Sequence, residues 1–120
     1  MNDSFVITAE TINDTCAVLA FDGRLDAVSA QRAKDALQQA INEGRHQLVV
    51  DMARVSFVDS AGLAALVSAL KLSRRSGGNV LLAGIQPQVR TVFSLTMLDR
   101  VFGIYPDRQA ALDDLASALS

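Results

Sequence analysis

Two short apolar segments, residues 46–51 and 79–83, constrain the fold of this chain most strongly. Each contains an uninterrupted aliphatic run, residues 48–50 and 80–83, and the first run is followed by a carboxylate, which is the pattern of a strand covered on both faces. Such strands belong to parallel sheets that are flanked by helices. The two segments therefore predict an α/β fold.

Apolar residues at helical spacing lie before, between and after these two strands, and they predict four helices. Ser29 or Asp26 is available to cap the first helix, Gly77 and Gly78 end the second, and Asp107 caps the last. The connection before the second helix is predicted over residues 52–59. The inward-facing positions of the four helices in order are Ala30, Ala33, Leu37, Ala40 and Ile41; Leu63, Leu66, Val67 and Leu70; Val89, Val92, Phe93 and Met97; and Ala111, Leu112, Leu115, Ala118 and Leu119.

Three further strands complete the predicted order. Residues 5–8 and 15–21 form an opening hairpin around Asn13 and Asp14, and residues 101–105 form the last strand. The order is β-β-α-β-α-β-α-β-α, which predicts a mixed sheet of about five strands with about four helices packed on it. We expect residues 1–120 to form a single domain.

The bulk composition narrows the classes of function. The net charge of −2 provides no large basic surface, so nucleic-acid binding is poorly supported, and Lys71, Arg74 and Arg75 are interpreted as a solvated group that complements a helix dipole. The single cysteine, Cys16, is expected to be buried and structural. No apolar stretch reaches the length of a membrane span and no signal-peptide pattern opens the chain, so we expect a cytoplasmic protein without a membrane partner.

Residues 55–63, Val-Ser-Phe-Val-Asp-Ser-Ala-Gly-Leu, resemble the signature loop of the STAS family, the anti-sigma factor antagonists of bacterial partner-switching systems. Residues 21–26 resemble the early Gly-x-Leu-Asp segment of that family, and residues 76–80 resemble its Gly-Gly turn into a strand. The resemblance covers nearly the whole chain and implies a single STAS domain.

The resemblance also implies a switch at Ser60, since the family's serine directly after the aspartate is phosphorylated by an anti-sigma factor that is also a serine kinase. Many members have a second hydroxyl residue next, whereas this chain has Ala61. Asp26 and Asp59 would share the partner-binding surface with Ser60, Ala61 and Gly62, and a serine phosphatase would reset the switch. Because Gly62 has no side chain, a partner backbone would approach the first turn closely.

Simpler interpretations of the same residues stay open. Asp59 and Ser60 suit a helix N-cap, Asp26 suits a cap of the first helix, and Gly62 suits tight helix packing. His46, the only histidine, is expected in a solvated or capping position. Since Ser60 is not in a nucleophile elbow and the chain has only one histidine, we expect no enzyme. We also expect no metal and no cofactor, with ATP supplied by the partner kinase.

Two other functions compete with the switch. The chain could serve as a constitutive structural subunit that is not phosphorylated, as in stressosome-like or lipid-transport assemblies of STAS proteins. A ligand-binding domain related to the cytoplasmic domains of sulfate transporters is the more distant alternative, because the short length argues against it. We expect a monomer or a weak dimer.

Overall fold

The computed structural model describes residues 4–119, with side chains as far as residue 117. Five strands and four helices alternate in the predicted order, and a short 3-10 helix, Leu98–Arg100, precedes the last strand. The elements are β1 (Val6–Thr11), β2 (Cys16–Leu25), α1 (Ala30–Asn42), β3 (Gln47–Val58), α2 (Ser60–Arg75), β4 (Asn79–Ala83), α3 (Pro87–Leu95), β5 (Gly103–Tyr105) and α4 (Arg108–Leu119).

The strands form one mixed sheet in the order β1-β2-β3-β4-β5. β1 and β2 pair antiparallel from Val6 opposite Asp22 to Thr11 opposite Ala17, which confirms the opening hairpin and sets its register. β2, β3, β4 and β5 all run parallel. Since each parallel connection passes through a helix, the predicted α/β architecture is confirmed.

Alternate strand residues face two cores. Leu48 and Val50 belong to the larger core, which also contains side chains of α1, α2 and α3, whereas Val49 belongs to the smaller core beneath α4. Both faces of β3 are therefore covered along residues 48–50, as its continuous apolar run predicts. Cys16 is buried in the smaller core, and this desolvation raises the pKa of its thiol.

β3 is longer than predicted, and this corrects the expected connection over residues 52–59. The strand continues to Val58 because its second half pairs with the end of β2, from Asp22 opposite Arg54 to Leu25 opposite Val58. One register shift precedes Asp22 and a second follows Gly23. Met52, Val55 and Val58 point into the core from this extension. Their three-residue spacing resembles a loop or helix in sequence, and the register shifts make it compatible with a strand.

The region after α3 also differs from the prediction. Met97 was placed on the apolar stripe of the third helix, but α3 ends at Leu95, where the Thr96 hydroxyl donates to the carbonyl groups of Val92 and Phe93. Met97 follows with φ 61° and is 60% exposed. The last strand begins at Gly103 and not at Val101.

The cap of the last helix is as predicted, since Asp107 Oδ1 accepts the N–H of Ala110 at 2.8 Å. The side chains of Ala118 and Leu119, predicted to face inward, lie outside the described residues. Among the described helices, none combines the length and the apolar character that a membrane crossing needs.

Candidate functional site

The candidate site lies where β2 and β3 end side by side. Leu25 pairs with Val58 at the last rung between the two parallel strands, so the residues that follow each strand meet at one edge of the sheet. The backbone N–H of Asp59 donates to the Leu25 carbonyl oxygen at 3.3 Å. The long β3 thus brings the Asp59 and Ser60 pair next to the loop that begins at Asp26, the neighbourhood that the family resemblance implies.

Asp59 holds two segments together through its carboxylate. It is the N-cap of α2, with Oδ1 accepting the Gly62 N–H at 3.1 Å, while Oδ2 accepts the Ala27 N–H at 3.2 Å. The N-cap interpretation is therefore correct for Asp59 and not for Ser60. Because both oxygens are engaged, Asp59 fixes the start of α2 against the loop between β2 and α1.

Ser60 is the first residue of α2 and is exposed. Its hydroxyl makes no hydrogen bond with the described part of the chain. The first-turn N–H groups of a helix carry a partial positive charge and are not all paired within the helix. The hydroxyl is thus accessible from solvent at a helix end that favours a negative charge.

Asp26 orders the loop in front of α1. Its Oδ1 accepts the N–H groups of Val28 at 3.0 Å and Ser29 at 3.3 Å, and the Ser29 hydroxyl donates to the Arg24 carbonyl oxygen at 2.6 Å. Ser29 occupies the N-cap position of α1 without a side-chain capping bond, so neither predicted cap caps this helix with its side chain. An Asp and a Ser three residues apart are typical of a turn held by side-chain hydrogen bonds to the backbone. This spacing is the sequence signal for the role of Ser29 in ordering the loop.

Three exposed side chains border this loop and were not predicted as site residues. The Arg24 guanidinium stacks over Phe57 at 4.0 Å from the ring centroid, and its Nε lies 3.5 Å from Asp26 Oδ2. Phe57 is 37% exposed and Val28 is 73% exposed. The only sequence signal that Val28 belongs to the site was its position as an apolar residue within a polar turn.

Gly62 is buried, which corrects the expectation that a partner backbone approaches it. A Cβ atom at this position would lie 2.3 Å from the Leu25 carbonyl oxygen and 2.8 Å from Leu25 Cγ. Such distances are far inside van der Waals contact. The tight-packing interpretation therefore explains this glycine, because α2 begins directly against the end of β2.

Ala61 lies at a shallow groove between α1 and α2 that begins beside Ser60. The groove encloses about 220 Å³ and is lined by alanines from both helices together with two longer side chains of α1. Its lining residues are Ala30, Gln31, Lys34, Ala61, Ala64 and Ala65. The candidate surface therefore combines an accessible hydroxyl, two carboxylates, two exposed apolar side chains and a small-residue groove.

His46 is far from this site, because it precedes β3 whereas Ser60 follows it, and β3 has 12 residues. His46 is half-buried and its Nδ1 has no hydrogen-bond partner among the described residues, so the expected solvated position is wrong. Within residues 4–117, no three or more His, Cys, Asp or Glu side chains are grouped in a way that could hold a metal ion.

Comparisons with known proteins agree with this geometry. The family described as the STAS domain matches residues 7–111. A Bordetella bronchiseptica protein provisionally named an anti-sigma factor antagonist is 26% identical over 106 residues, which is 88% of this chain and 91% of that protein. The anti-sigma-B factor antagonist of Listeria monocytogenes is 32% identical over 83 residues, which is 68% of this chain and 72% of that protein.

Solved structures show the same fold. A Thermotoga maritima protein, provisionally described as an anti-sigma factor antagonist, superposes with a TM-score of 0.84. Its sequence is 27% identical, and the match covers 90% of this chain and 92% of the other.

Proposed function

The chain belongs to the STAS family, and on this basis we propose that it is an anti-sigma factor antagonist in a partner-switching system. In this proposal residues 1–120 act as one STAS domain that binds an anti-sigma factor and thereby releases the protein which that factor holds. The names of the relatives support the proposal, and so does the surface around Ser60, whose exposed hydroxyl is the observation that carries it.

The unphosphorylated surface would bind the anti-sigma factor through contacts of three kinds. Ser60 and Asp26 offer polar groups, Val28 and Phe57 offer exposed apolar area, and Ala61 opens onto the groove between α1 and α2. Asp59 would act mainly by holding these parts in register, since both of its oxygens bond to backbone N–H groups. A pre-ordered surface lowers the entropy cost of association.

Phosphorylation of Ser60 would switch this surface off. A phosphate adds about −1.5 to −2 charges, beside the Asp59 carboxylate, while the helix N-terminus accommodates the added charge without loss of the fold. The main effect is therefore on a docked partner. A loss of ~3 kcal/mol of binding free energy would separate the two forms by a factor on the order of 100.

We assign the phosphate transfer to the anti-sigma factor acting as a serine kinase, and the reset to a serine phosphatase. The sequence contains no glycine-rich phosphate loop, so the partner would supply ATP. Ser60 and the only histidine lie beyond opposite ends of β3, which argues against hydrolysis by a serine relay. The chain would act as a non-enzymatic binding protein in the bacterial cytoplasm.

A phosphorylation assay with a matched control tests this function. The protein is incubated with ATP and a candidate kinase of its own organism, and the intact mass and phosphorylated residue are determined. Ser60→Ala should remove the single phosphate, whereas Ser56→Ala, at an exposed serine of β3, should leave it. Phosphorylated protein should also bind the kinase more weakly.

The opposite result would favour the second function. Tight binding to the kinase without phosphate transfer, and insensitive to Ser60→Asp, would contradict the switch and indicate a structural subunit of a stressosome-like or lipid-transport assembly.

A further inference from the structure

A long segment in the second half of the chain carries basic residues and no carboxylates. Residues 60–98 contain four basic residues and no carboxylate, whereas the rest of the chain contains seven basic residues and all 13 carboxylates. Three of the four, Lys71, Arg74 and Arg75, lie in the last two turns of α2 and are exposed. The C-terminal end of α2 is thus basic in a chain whose net charge is negative.

A hydrogen bond joins this basic helix end to the segment after α3. Arg74 Nη2 donates to the Val101 carbonyl oxygen at 3.2 Å. Arg100 in the same segment is exposed and adds a further cation. The one carboxylate between residues 95 and 101, Asp99, accepts the Ser94 hydroxyl at 3.2 Å.

The same segment exposes large apolar side chains. Leu95 is 80% exposed, Met97 is 60% exposed and Val101 is 40% exposed. They account for three of the seven large hydrophobic residues that are exposed among the described side chains. We call the surface formed by Arg74, Leu95, Met97, Arg100 and Val101 the basic–apolar corner.

The backbone at Met97 adopts a conformation that is unfavourable for a side chain. Met97 has φ 61° and ψ 15°, directly after the C-cap of α3, where glycine is the usual residue. A methionine at this position strains the backbone and turns an apolar side chain toward solvent. An observed outlier of this kind is consistent with selection for a contact outside the chain.

We propose that the basic–apolar corner binds a partner protein through a peptide segment that carries acidic side chains beside an apolar anchor. The cations of the corner complement the acidic residues, and Leu95, Met97 and Val101 receive the anchor. Exposed apolar area of this kind favours a protein over a nucleic acid, since phosphate recognition needs only the cations.

The corner is remote from Ser60, because the two lie at opposite ends of the 16-residue α2, which is about 24 Å long at 1.5 Å per residue. A phosphate on Ser60 is more than two Debye lengths away at physiological ionic strength. Binding at the corner is therefore independent of the phosphorylation state of Ser60, and a partner held there stays attached through both states of the switch. This inference goes beyond the proposed function and does not depend on it.

Random peptides displayed on phage are selected for binding to the whole chain. Phage that also bind the Arg74→Glu/Arg100→Glu double variant are discarded. Selected peptides should carry Asp or Glu next to Leu, Ile, Phe or Met. In amide NMR spectra of the whole chain they should shift the resonances of residues 71–75 and 95–101.

Single substitutions test which residues of the corner bind the peptide. Arg100→Glu should weaken peptide binding about tenfold, and both Met97→Gly and Met97→Ala should weaken it, whereas Ser60→Asp should leave it unchanged. Folding of each variant is checked from its amide spectrum. The proposal is overturned if no acidic peptides are enriched, or if the amide shifts that they cause map to other residues. It is also overturned if Ser60→Asp weakens peptide binding as much as Arg100→Glu does, or if a short single-stranded RNA displaces the peptides from the same amides.

Discussion

The two ends of α2 are both anchored to neighbouring strands, but they display different side chains to solvent. At the Ser60 end, both oxygens of Asp59 and the packing of Gly62 against Leu25 hold the backbone, and little besides one hydroxyl and two apolar side chains is displayed. At the other end, the buried Ser73 hydroxyl donates to the His46 carbonyl oxygen and Arg74 donates to that of Val101, while the left-handed Met97 displays its side chain at a cost in strain. The Ser60 end therefore offers a partner a hydroxyl in an ordered backbone, and the corner offers cations beside exposed apolar side chains.

The comparison predicts its largest effect at Gly62. Alanine there gains about 1 kcal/mol of helix propensity, but its Cβ would lie 2.3 Å from the Leu25 carbonyl oxygen, a backbone atom that cannot move without breaking the end of β2. We expect Gly62→Ala to lower the free energy of unfolding by at least about 3 kcal/mol. Urea unfolding followed by circular dichroism measures it.

Gly77 is the matched control at the other end of α2. A Cβ there meets nothing within 4 Å, although φ is +82°, so only backbone strain opposes the substitution. Gly77→Ala should cost about 1 kcal/mol. Equal losses at Gly62 and Gly77 would contradict the close packing of Gly62 against Leu25 as the cause of the larger loss.

The second prediction concerns binding and not stability. Ser60→Asp places a carboxylate beside Asp59 at an exposed position, so the fold should be retained while the affinity for the anti-sigma factor falls about 100-fold, or roughly 3 kcal/mol. Isothermal titration with the kinase in the absence of ATP measures this loss. Arg100→Glu is the control from the other end of α2, and the proposed switch requires its effect to be much smaller.

The difference between the two ends also explains how much could be predicted from the sequence. The order of elements followed from apolar periodicity and from the glycines near helix ends, because these are local signals. Asp59 and Ser60 were found because they precede a strong helical pattern and form part of a recognisable motif. The family resemblance, and not the spacing, supplied the proposed role of Ser60.

Features that depend on distant partners were missed. The extension of β3 to Val58 requires the matching extension of β2, and neither segment has the alternation of a regular strand. Tight packing of Gly62 was one of its two interpretations, but no local pattern reveals that its partner is Leu25, 37 positions away. Met97 was assigned to a helix because it continues an apolar spacing, but α3 ends two residues earlier, at Leu95.

The third prediction compares two aspartate caps. Asp59 accepts two backbone N–H groups, one of them from the neighbouring loop, whereas Asp107 Oδ1 accepts only that of Ala110 among the hydrogen bonds at the start of α4. Asp59→Ala should cost about 2 kcal/mol and Asp107→Ala about 1 kcal/mol. Asp59→Asn keeps an acceptor for Gly62 and should lose less than Asp59→Ala. If the two alanine variants unfold at the same urea concentration, the bond to Ala27 contributes nothing.

The smallest effect has the opposite sign and belongs to the corner. Met97 is mostly exposed, so glycine removes little buried area while relieving the positive φ, and Met97→Gly should raise the free energy of unfolding by roughly 1 kcal/mol. Met97→Ala removes the same side chain but keeps the strain, so it should leave stability nearly unchanged. Thermal unfolding of the two variants separates strain from side-chain loss. A gain with glycine alone would show that the chain retains a destabilising residue at an exposed corner, as expected where a side chain serves binding; a loss with glycine would mean that Met97 stabilises the turn and that its exposure needs no partner.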